Sequence, residues 1–249
     1  MTDLTSQYLN EVTTRLERLA VAKGPIDDAI ALVAASLEAG GVVQAFGTGH
    51  SEAFAMEIAG RAGGLIATNR IALRTLVLRG GRDISVLGGA ELERDANVAD
   101  DLLSLFDLQP NDVFMIASNS GVNGSIVGMA LAAKARGHKV IAVTSLDHTM
   151  RVKPKHPSGK RLSEVADIVI DNLAPFGDST MELEGGTGIG AVSSITAAFI
   201  AQRITIGVAE TMRKRGKTPP VYISANIPGG DEHNRALEDL YGDRIRREA

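Results

Sequence analysis

The sequence of 249 residues contains no cysteine and no tryptophan, and aromatic residues make up only 4% of it. Without cysteine there is no disulfide, no thiolate zinc site, no iron–sulfur cluster and no cysteine nucleophile. Proteins that bind single-stranded nucleic acid stack the bases on aromatic rings. So few aromatic residues therefore argue against that function.

The chain also lacks an excess of positive charge, with 26 Lys and Arg residues against 30 Asp and Glu residues and a formal net charge of −4. A protein that coats nucleic acid needs a basic face, so we expect no nucleic-acid partner. No apolar run approaches the ~20 residues of a membrane span, and the polar N-terminus lacks the apolar core of a signal peptide. We therefore expect a cytoplasmic protein that does not associate with a membrane.

Length and composition predict a single domain over residues 1–249. Hydrophobic residues make up 44% and charged residues 22%, which is ordinary for a globular protein with a large core. Residues 1–40 are expected to form an N-terminal helical extension. Residues 41–249 are expected to form an α/β core with C-terminal helices.

Two helices are predicted in the N-terminal extension. Apolar residues recur at helical spacing from Leu4 to Leu19, and a second helix is expected from about Ile26 to Leu37. The Lys-Gly-Pro sequence at 23–25 separates them. The pair either packs as a layer on the domain or forms an interface between subunits, and these two roles are compatible.

Five short apolar runs after residue 41 are typical of strands that are buried on both faces of a parallel sheet. They are Val42–Phe46, Asp112–Ala117, Lys139–Val143, Asp167–Ile170 and Val221–Ser224. Helical patterns separate most of them, at Ser51–Ala62, Asn97–Phe106, Val122–Arg136 and Ala191–Arg215. This alternation predicts a doubly wound α/β fold with a five-stranded parallel sheet, whose ligands bind outside the carboxyl ends of the strands.

The first candidate binding motif is Gly47-Thr48-Gly49-His50-Ser51, between the first strand and its helix. The glycines allow a tight turn, the helix start offers free N–H groups to an anion, and Thr48 and Ser51 add hydroxyl donors. The motif lacks the third glycine of a dinucleotide-binding loop and the Gly-Lys-Ser/Thr of a P-loop. An anion site and an ordinary glycine-rich turn remain as the two interpretations.

The second candidate motif, SNSGVN at 118–123, follows the next clear strand. Its short polar side chains can converge near a helix N-terminus, and many neutral donors beside a helix dipole suit a phosphate monoester. The alternative is a helix N-cap, but one cap needs only one such residue. The candidates for phosphate binding in this motif are Ser118, Asn119, Ser120 and Asn123.

Together the two motifs resemble those of the SIS (sugar isomerase) family, Gly-x-Gly-x-Ser and Ser-x-Ser-Gly-x-Thr, with Asn123 in place of the final threonine. The strings FGTGHS, RAGG and SNSGVN resemble a single-domain bacterial branch of that family, the UPF0309-like proteins. The resemblance runs from about Val42 to the C-terminus. It implies a flavodoxin-like SIS fold, a sugar phosphate as ligand, and a homodimer or homotetramer with sites shared between subunits.

The chain also resembles the related N-acetylmuramic acid 6-phosphate etherases, which use a glutamate on the helix after the first loop and a second one in a Gly-Ala-Glu segment. The resemblance implies Glu57 as the first catalytic candidate and Glu91 as the second, with Glu93 nearby as a further one. Two carboxylates suit an elimination, because one removes a proton and the other protonates the leaving oxygen. Alternatively, Glu57 pairs with Arg61, and the other two simply enrich a helix start in negative charge.

Histidines are the other acid–base candidates, because their pKa lies near neutrality. His50 lies inside the first loop, and the resemblance to sugar isomerases makes His233 a candidate that a neighbouring subunit would donate for ring opening. His148 and His156 flank a basic loop at 150–160, which either covers the ligand or is solvated. No histidine or carboxylate cluster has metal-ligand spacing, so we predict no metal, and we expect no cofactor.

These observations predict an enzyme that acts on an amino-sugar phosphate such as an N-acetylhexosamine 6-phosphate. The predicted chemistry is proton abstraction followed by β-elimination, which is a dehydratase or lyase reaction. An aldose–ketose isomerase shares the first step and is the close alternative. A non-catalytic phosphosugar sensor is the second alternative, although such regulators normally carry a further DNA-binding domain.

Overall fold

A computed structural model describes residues 3–246 of the chain. Its main sheet contains β1 (Val43–Gly47), β2 (Thr68–Ile71), β3 (Val113–Ala117), β4 (Lys139–Thr144) and β5 (Ile168–Asp171). The strand order is β2-β1-β3-β4-β5, and all neighbouring strands are parallel. The predicted five-stranded parallel sheet is therefore confirmed.

Helices connect the strands and flank the sheet. They are α1 (Leu4–Val21), α2 (Pro25–Glu38), α3 (Glu52–Ile58), α4 (Thr75–Leu78), α5 (Glu91–Arg94), α6 (Val98–Leu103), α7 (Gly124–Ala135), α8 (Leu146–Arg151), α9 (Leu162–Val165), α10 (Ser193–Lys214) and α11 (Gly230–Glu238). A small antiparallel hairpin, β6 (Met181–Glu182) and β7 (Gly188–Ile189), precedes α10. Within residues 3–246, no helix has the length and apolar character needed to cross a membrane.

The sheet has a hydrophobic core on each face. β1 and β3 are buried along their whole length, and their successive side chains point to opposite faces. Val43 and Met115 pack with α1, α2, α3 and α10 on one face. Phe46 and Ile116 pack with α4, α5, α6, α7 and α9 on the other face. Burying such side chains stabilises the fold by about 1.5–3 kcal/mol each, and coverage on both faces confirms the doubly wound arrangement.

The predicted N-terminal helical pair is present as α1 and α2, which pack against α10. Arg203 of α10 donates hydrogen bonds to the carbonyl oxygens of Leu19 and Ala22, where the chain leaves α1. These carbonyls would otherwise lack partners at the end of a helix. The pair therefore packs as a layer on the domain, which is one of the two roles expected from the sequence.

One predicted strand is wrong. Residues 221–224 form only an isolated antiparallel bridge from Val221 to Leu65, outside the main sheet. The strand that completes the sheet in its place is β2, which is polar in sequence (Thr-Asn-Arg-Ile) and lies at the sheet edge beside β1. Asn69 is buried there because it bonds Gln44 Oε1 at 3.2 Å and the Arg244 carbonyl at 2.7 Å. These partners come from distant segments, so periodicity gave no signal for this strand.

The four helices predicted after residue 41 are shorter at both ends than their sequence patterns indicated, whereas α1 and α2 extend one or two residues beyond theirs. The largest difference is in α3, which ends at Ile58 instead of Ala62. Gly60 and Gly63 follow with φ of +75° and +79°, which a right-handed helix cannot contain. The chain therefore turns early and runs towards β2.

Candidate functional site

The carboxyl ends of β1 and β3 lie side by side at the centre of the sheet, where Gly47 pairs with Ala117. From this point the chain leaves β1 towards α3 on one face and leaves β3 towards α7 on the other face. A crevice opens where neighbouring strands connect to opposite faces, and ligands of open α/β sheets bind in such crevices. Both candidate motifs lie at this position.

The first motif needs its glycines for backbone reasons. A Cβ on Gly47 would lie 2.2 Å from the Ser51 carbonyl oxygen, and Gly49 has a φ of +56°. The chain thus folds back tightly and enters the short 3₁₀ helix Gly49–Ser51, which continues into α3. This turn brings the Thr48 and Ser51 side chains to the crevice.

The second motif is held by its own hydrogen bonds. The Ser118 hydroxyl accepts a hydrogen bond from the Gly121 N–H at 3.1 Å, and Gly121 has a φ of +63°. The Asn119 side-chain oxygen accepts from Asn172 Nδ2 at 3.1 Å, which ties the loop to the segment after β5. The loop is therefore rigid while Ser120 and Asn123 remain half-buried beside the crevice.

The two motifs enclose one cleft with a volume of about 410 Å³. The structure brings seven of the predicted site residues together along its wall. They are Thr48, His50, Ser51, Ser118, Asn119, Ser120 and Asn123. Hydroxyl and amide donors of this kind bind an anion without a formal positive charge, as the sequence analysis expected for a phosphate group.

The N-terminus of α7 opens at this cleft. Asn123 is its N-cap residue, but the side chain makes no capping hydrogen bond and donates instead to Glu93 Oε1 at 2.6 Å. The Asn123 side-chain oxygen is buried and has no hydrogen-bond partner among residues 3–246. The partial positive charge at the start of a 12-residue helix thus lies at the cleft, which suits a phosphate group.

Of the two neighbouring carboxylates on α5, Glu93 lies at the cleft and Glu91 does not. Glu93 lines the cleft and Glu91 is exposed outside it. Glu93 Oε2 also lies 3.7 Å from where a Cβ on Gly49 would be. The hydrogen bond from Asn123 and the proximity of Gly49 therefore hold this carboxylate between the two motifs, whereas Glu91 is separated from both.

Glu57 lies on α3 and does not line the cleft within this chain. Its carboxylate forms an ion pair with Arg61 and accepts a hydrogen bond from Gln202 Nε2 at 2.6 Å. The contact with Arg61 is the one that the alternative interpretation expected. A catalytic role for Glu57 stays a prediction.

His148 lines the cleft, although the sequence analysis assigned it only to the basic loop. Its Nδ1 accepts a hydrogen bond from the Gly177 N–H at 3.1 Å, so the neutral ring carries its proton on Nε2. Burial, aided by the charge of Lys155, lowers the pKa of His148, and the Asp178 and Asp147 carboxylates partly oppose this. A neutral imidazole with a free N–H group is thus available at neutral pH.

Asp178 also lines the cleft and organises the start of α10. Its Oδ1 accepts from the backbone N–H groups of Val192 and Ser193 at 3.1 and 3.0 Å, and its Oδ2 accepts from the Ser193 hydroxyl at 2.6 Å. A residue from before the β6–β7 hairpin therefore caps the helix. A cap so distant in sequence could not be inferred from local patterns.

The remaining histidine candidates differ in position. His50 is exposed and lines the cleft. His233 is exposed on α11, has its Nε2 3.0 Å from the Val221 carbonyl oxygen, and does not line the cleft. Its predicted role concerns a neighbouring subunit, so it stays a prediction. Among residues 3–246, no three His, Asp or Glu side chains are arranged to hold a metal ion.

One signal in the sequence could have identified His148. It lies four residues after β4, and β4 is adjacent to β3 in the sheet. Polar residues that follow a third parallel strand at the same edge belong to the same crevice.

The fold and the cleft define a doubly wound α/β protein with a crevice lined by hydroxyl and amide groups, and sequence comparison identifies its family. The SIS domain model matches residues 7–145. The UPF0309 protein lmo0025 of Listeria monocytogenes is 41% identical over 236 residues, covering 94% of each chain. The UPF0309 protein GK1441 of Geobacillus kaustophilus is 34% identical over 242 residues, covering 96% of this chain and 95% of the relative. The chain belongs to the SIS domain family and, within it, to the UPF0309 proteins.

Two solved structures share this fold. A phosphoheptose isomerase from Francisella tularensis matches with a TM-score of 0.53 and 19% identity, covering 84% of this chain and 100% of that one. The phosphoheptose isomerase GmhA from Neisseria gonorrhoeae matches with a TM-score of 0.55 and 17% identity, covering 83% and 97%. At this identity the likeness concerns the fold, and it confirms the predicted SIS architecture.

Proposed function

We propose that this protein is an enzyme that binds an amino-sugar phosphate in the cleft and removes the proton beside the carbonyl of its open-chain form. The observation that carries the proposal is that three kinds of group line one cleft of about 410 Å³. They are uncharged hydrogen-bond donors that suit a phosphate, the Glu93 carboxylate and the neutral His148 ring. The names of the structurally similar phosphoheptose isomerases support a sugar phosphate as ligand.

The proposed reaction begins at C2 of an N-acetylhexosamine 6-phosphate. The phosphate oxygens accept hydrogen bonds from the hydroxyl groups of Ser118 and Ser120 and from N–H groups at the N-terminus of α7. Glu93 takes the C2 proton, because a carboxylate fixed by the Asn123 amide is a base with a defined direction. The C–H electrons form an enolate with the C1 carbonyl.

Elimination completes the reaction in the leading proposal. The enolate electrons form the C2–C3 double bond, the C3–O bond breaks, and the proton on His148 Nε2 joins the departing hydroxyl as water. The products are an unsaturated sugar phosphate and water, and Glu93 returns its proton to restore His148 through solvent. The protein is then a dehydratase.

Isomerisation is the second candidate, and the fold shared with phosphoheptose isomerases favours it. This reaction needs a sugar phosphate with a hydroxyl group on C2. Removal of its C2 proton gives an enediolate, C1 takes up a proton, the C2 hydroxyl loses its proton to become the carbonyl, and the aldose becomes a ketose. No group leaves, so the two candidates share the first proton transfer and differ in the group on C2 and in the later steps.

Proton NMR in D₂O with parallel ultraviolet absorbance tests the proposal, using N-acetylglucosamine 6-phosphate. A new vinyl proton and rising absorbance support elimination, whereas loss of the C2 proton signal without absorbance shows enolisation and points to isomerase or epimerase chemistry. Binding without any exchange of the C2 proton contradicts an enzyme and favours a sensor. Glu57→Gln and Glu93→Gln proteins assayed side by side decide which carboxylate removes the proton.

A further inference from the structure

A second compartment of about 250 Å³ adjoins the cleft on the side of α4 and α5. Its wall has an apolar part, formed by Leu73, Val86, Leu87 and Leu92, and a polar part that includes Glu52 and Arg74. Val86 and Leu87 belong to the 3₁₀ helix Ile84–Leu87, and Leu92 belongs to α5. Ser118, Ser120 and His148 do not line this space.

The second compartment meets the cleft at the proposed base. Thr48, Gly49 and Glu93 line both spaces, so they form the junction between them. If the carbon that loses its proton lies at Glu93, its own substituent is directed into the second compartment while the phosphate lies in the cleft. On C2 of a hexosamine, this substituent is the nitrogen and whatever group it carries.

The polar end of the compartment has the hydrogen-bonding groups that an amide requires. Glu52 and Arg74 form an ion pair at this end, with Glu52 Oε1 2.5 Å from Arg74 Nη1, and both side chains remain partly exposed. An amide carbonyl can accept from another of the five guanidinium N–H groups, and the amide N–H can donate to the other oxygen of the Glu52 carboxylate. The acyl carbons then contact the apolar wall, so every part of the group has a partner.

The charge of the compartment argues against an acidic substituent. Two carboxylates, Glu52 and Glu93, face one guanidinium, that of Arg74. Arg74 is already paired with Glu52, so a carboxylate on the substrate would meet an excess of negative charge. Like charges at close range suppress the wrong ligand.

We propose that this compartment is the subsite for a neutral N-acyl group and that it excludes sugar phosphates with a carboxylate-bearing ether beside that group. The proposal rests on the proposed function, because it takes the reacting carbon to lie at Glu93. It specifies an N-acylated amino-sugar phosphate as the substrate class. It also specifies that elimination releases water and not a hydroxy acid.

Calorimetric titration of the full-length protein tests this subsite with N-acetylglucosamine 6-phosphate, glucose 6-phosphate, and the 3-O-(1-carboxyethyl) ether of the former. We expect the N-acetyl compound to bind at least about tenfold more tightly than glucose 6-phosphate. We expect it to bind at least about tenfold more tightly than the carboxyethyl ether as well.

Two wall variants localise the effect. Leu87→Trp fills the compartment and is expected to remove the preference for the N-acetyl compound over glucose 6-phosphate. Ile84→Trp is the matched control, because Ile84 lies in the same 3₁₀ helix, is 72% exposed and does not line the compartment. The control is expected to keep the wild-type preference.

A charge variant tests the exclusion of acids. Glu52→Gln leaves Arg74 without its partner, so the carboxyethyl ether is expected to gain at least about tenfold in affinity. Two results would overturn the subsite and leave the proposed function intact. One is equal affinity of the wild type for the N-acetyl compound and glucose 6-phosphate. The other is an equal loss of this preference in Leu87→Trp and Ile84→Trp. If neither sugar phosphate binds, the proposed function and the subsite are both overturned.

Discussion

Glu93 occupies the position that connects the two halves of the candidate site. It lies between the glycine-rich first motif and Asn123 of the second, and it lines both the cleft and the adjoining compartment. Its backbone carbonyl also accepts a hydrogen bond from the Ser125 hydroxyl at 2.7 Å. Both the backbone and the side chain of this residue are thus fixed to the start of α7, which gives the carboxylate a defined direction.

Glu93→Gln is expected to lower turnover at least about 100-fold, because the amide cannot remove a proton but can still accept from Asn123. Steady-state kinetics on the substrate identified by NMR measures this. Glu91→Gln is the matched comparison, since it changes an exposed carboxylate two residues away. If Glu91→Gln loses turnover and Glu93→Gln keeps it, the assignment of the base to Glu93 is wrong.

His148 makes a prediction about stability and pH. Burial lowers its pKa, so the folded protein favours the neutral ring, and the unfolded chain binds a proton more readily. The stability that depends on the neutral His148 ring is fully present above the ordinary imidazole pKa of about 6.5 and is lost as the pH falls below it. His148→Gln is therefore expected to lose less stability than the wild type between about pH 7.5 and about pH 5.5 in urea unfolding.

His156 provides an internal check on that result. Burial also lowers its pKa, although it lies outside the cleft. His156→Gln should change the pH dependence of stability in the same direction as His148→Gln, but only the latter should impair turnover. Identical losses of stability in the wild type and both variants would contradict the burial argument.

At the scale of elements, the two motif loops differ from ordinary turns in how closely they pack. A Cβ on Gly121 would lie 2.9 Å from Thr144 Oγ1 and 3.1 Å from Thr149 Oγ1, from β4 and α8. The second motif is thus wedged against the neighbouring strand end. Both this packing and the hydrogen bonds of Ser118 and Asn119 hold the loop in position.

Gly121→Ala is expected to lower the free energy of unfolding by about 2 kcal/mol or more, because left-handed strain is combined with a collision. It should also weaken the binding of inorganic phosphate. Gly137→Ala is the control, since Gly137 has a φ of +85° but open space around its Cβ position. In urea unfolding, Gly137→Ala should lower the free energy of unfolding by about 1 kcal/mol. In calorimetry, it should leave the affinity for phosphate unchanged. Equal effects on phosphate affinity would show that the loop conformation is not needed for binding.

At the scale of the whole molecule, several apolar side chains on the helices of one face lack cover within the chain. Leu9 of α1, Met56 of α3 and Ile206 of α10 are all more than half exposed. These helices pack together against the sheet. Their exposed side chains support the expected homodimer or homotetramer, which remains a prediction together with the borrowed His233.

Co-expression of two inactive variants tests whether sites are shared. Glu93→Gln and His233→Ala subunits, each inactive alone, should together recover about a quarter of wild-type activity in a dimer. Random pairing makes half of the dimers mixed, and each of these has one intact site. Activity of the co-expressed pair is compared with each homo-oligomer after analytical ultracentrifugation. A monomer, or full activity of His233→Ala alone, contradicts the shared site.

The sequence by itself determined the elements that depend on local chemistry. Buried β-branched runs predicted four of the five strands, and glycines beside short polar residues predicted both motifs of the cleft. Backbone strain and hydrophobic burial act on neighbouring residues, so they are visible as pattern and spacing. For the same reason the family resemblance was readable from the two motifs.

Only the tertiary structure decided which residues from distant segments meet. β2 is a strand because Asn69 finds partners in Gln44 and the C-terminal segment, and Asp178 caps α10 across a hairpin. The choice of Glu93 over Glu91 likewise follows from a hydrogen bond to Asn123, thirty residues later. Such polar contacts leave no periodic trace in the sequence, because each depends on a partner that only folding brings within hydrogen-bonding distance.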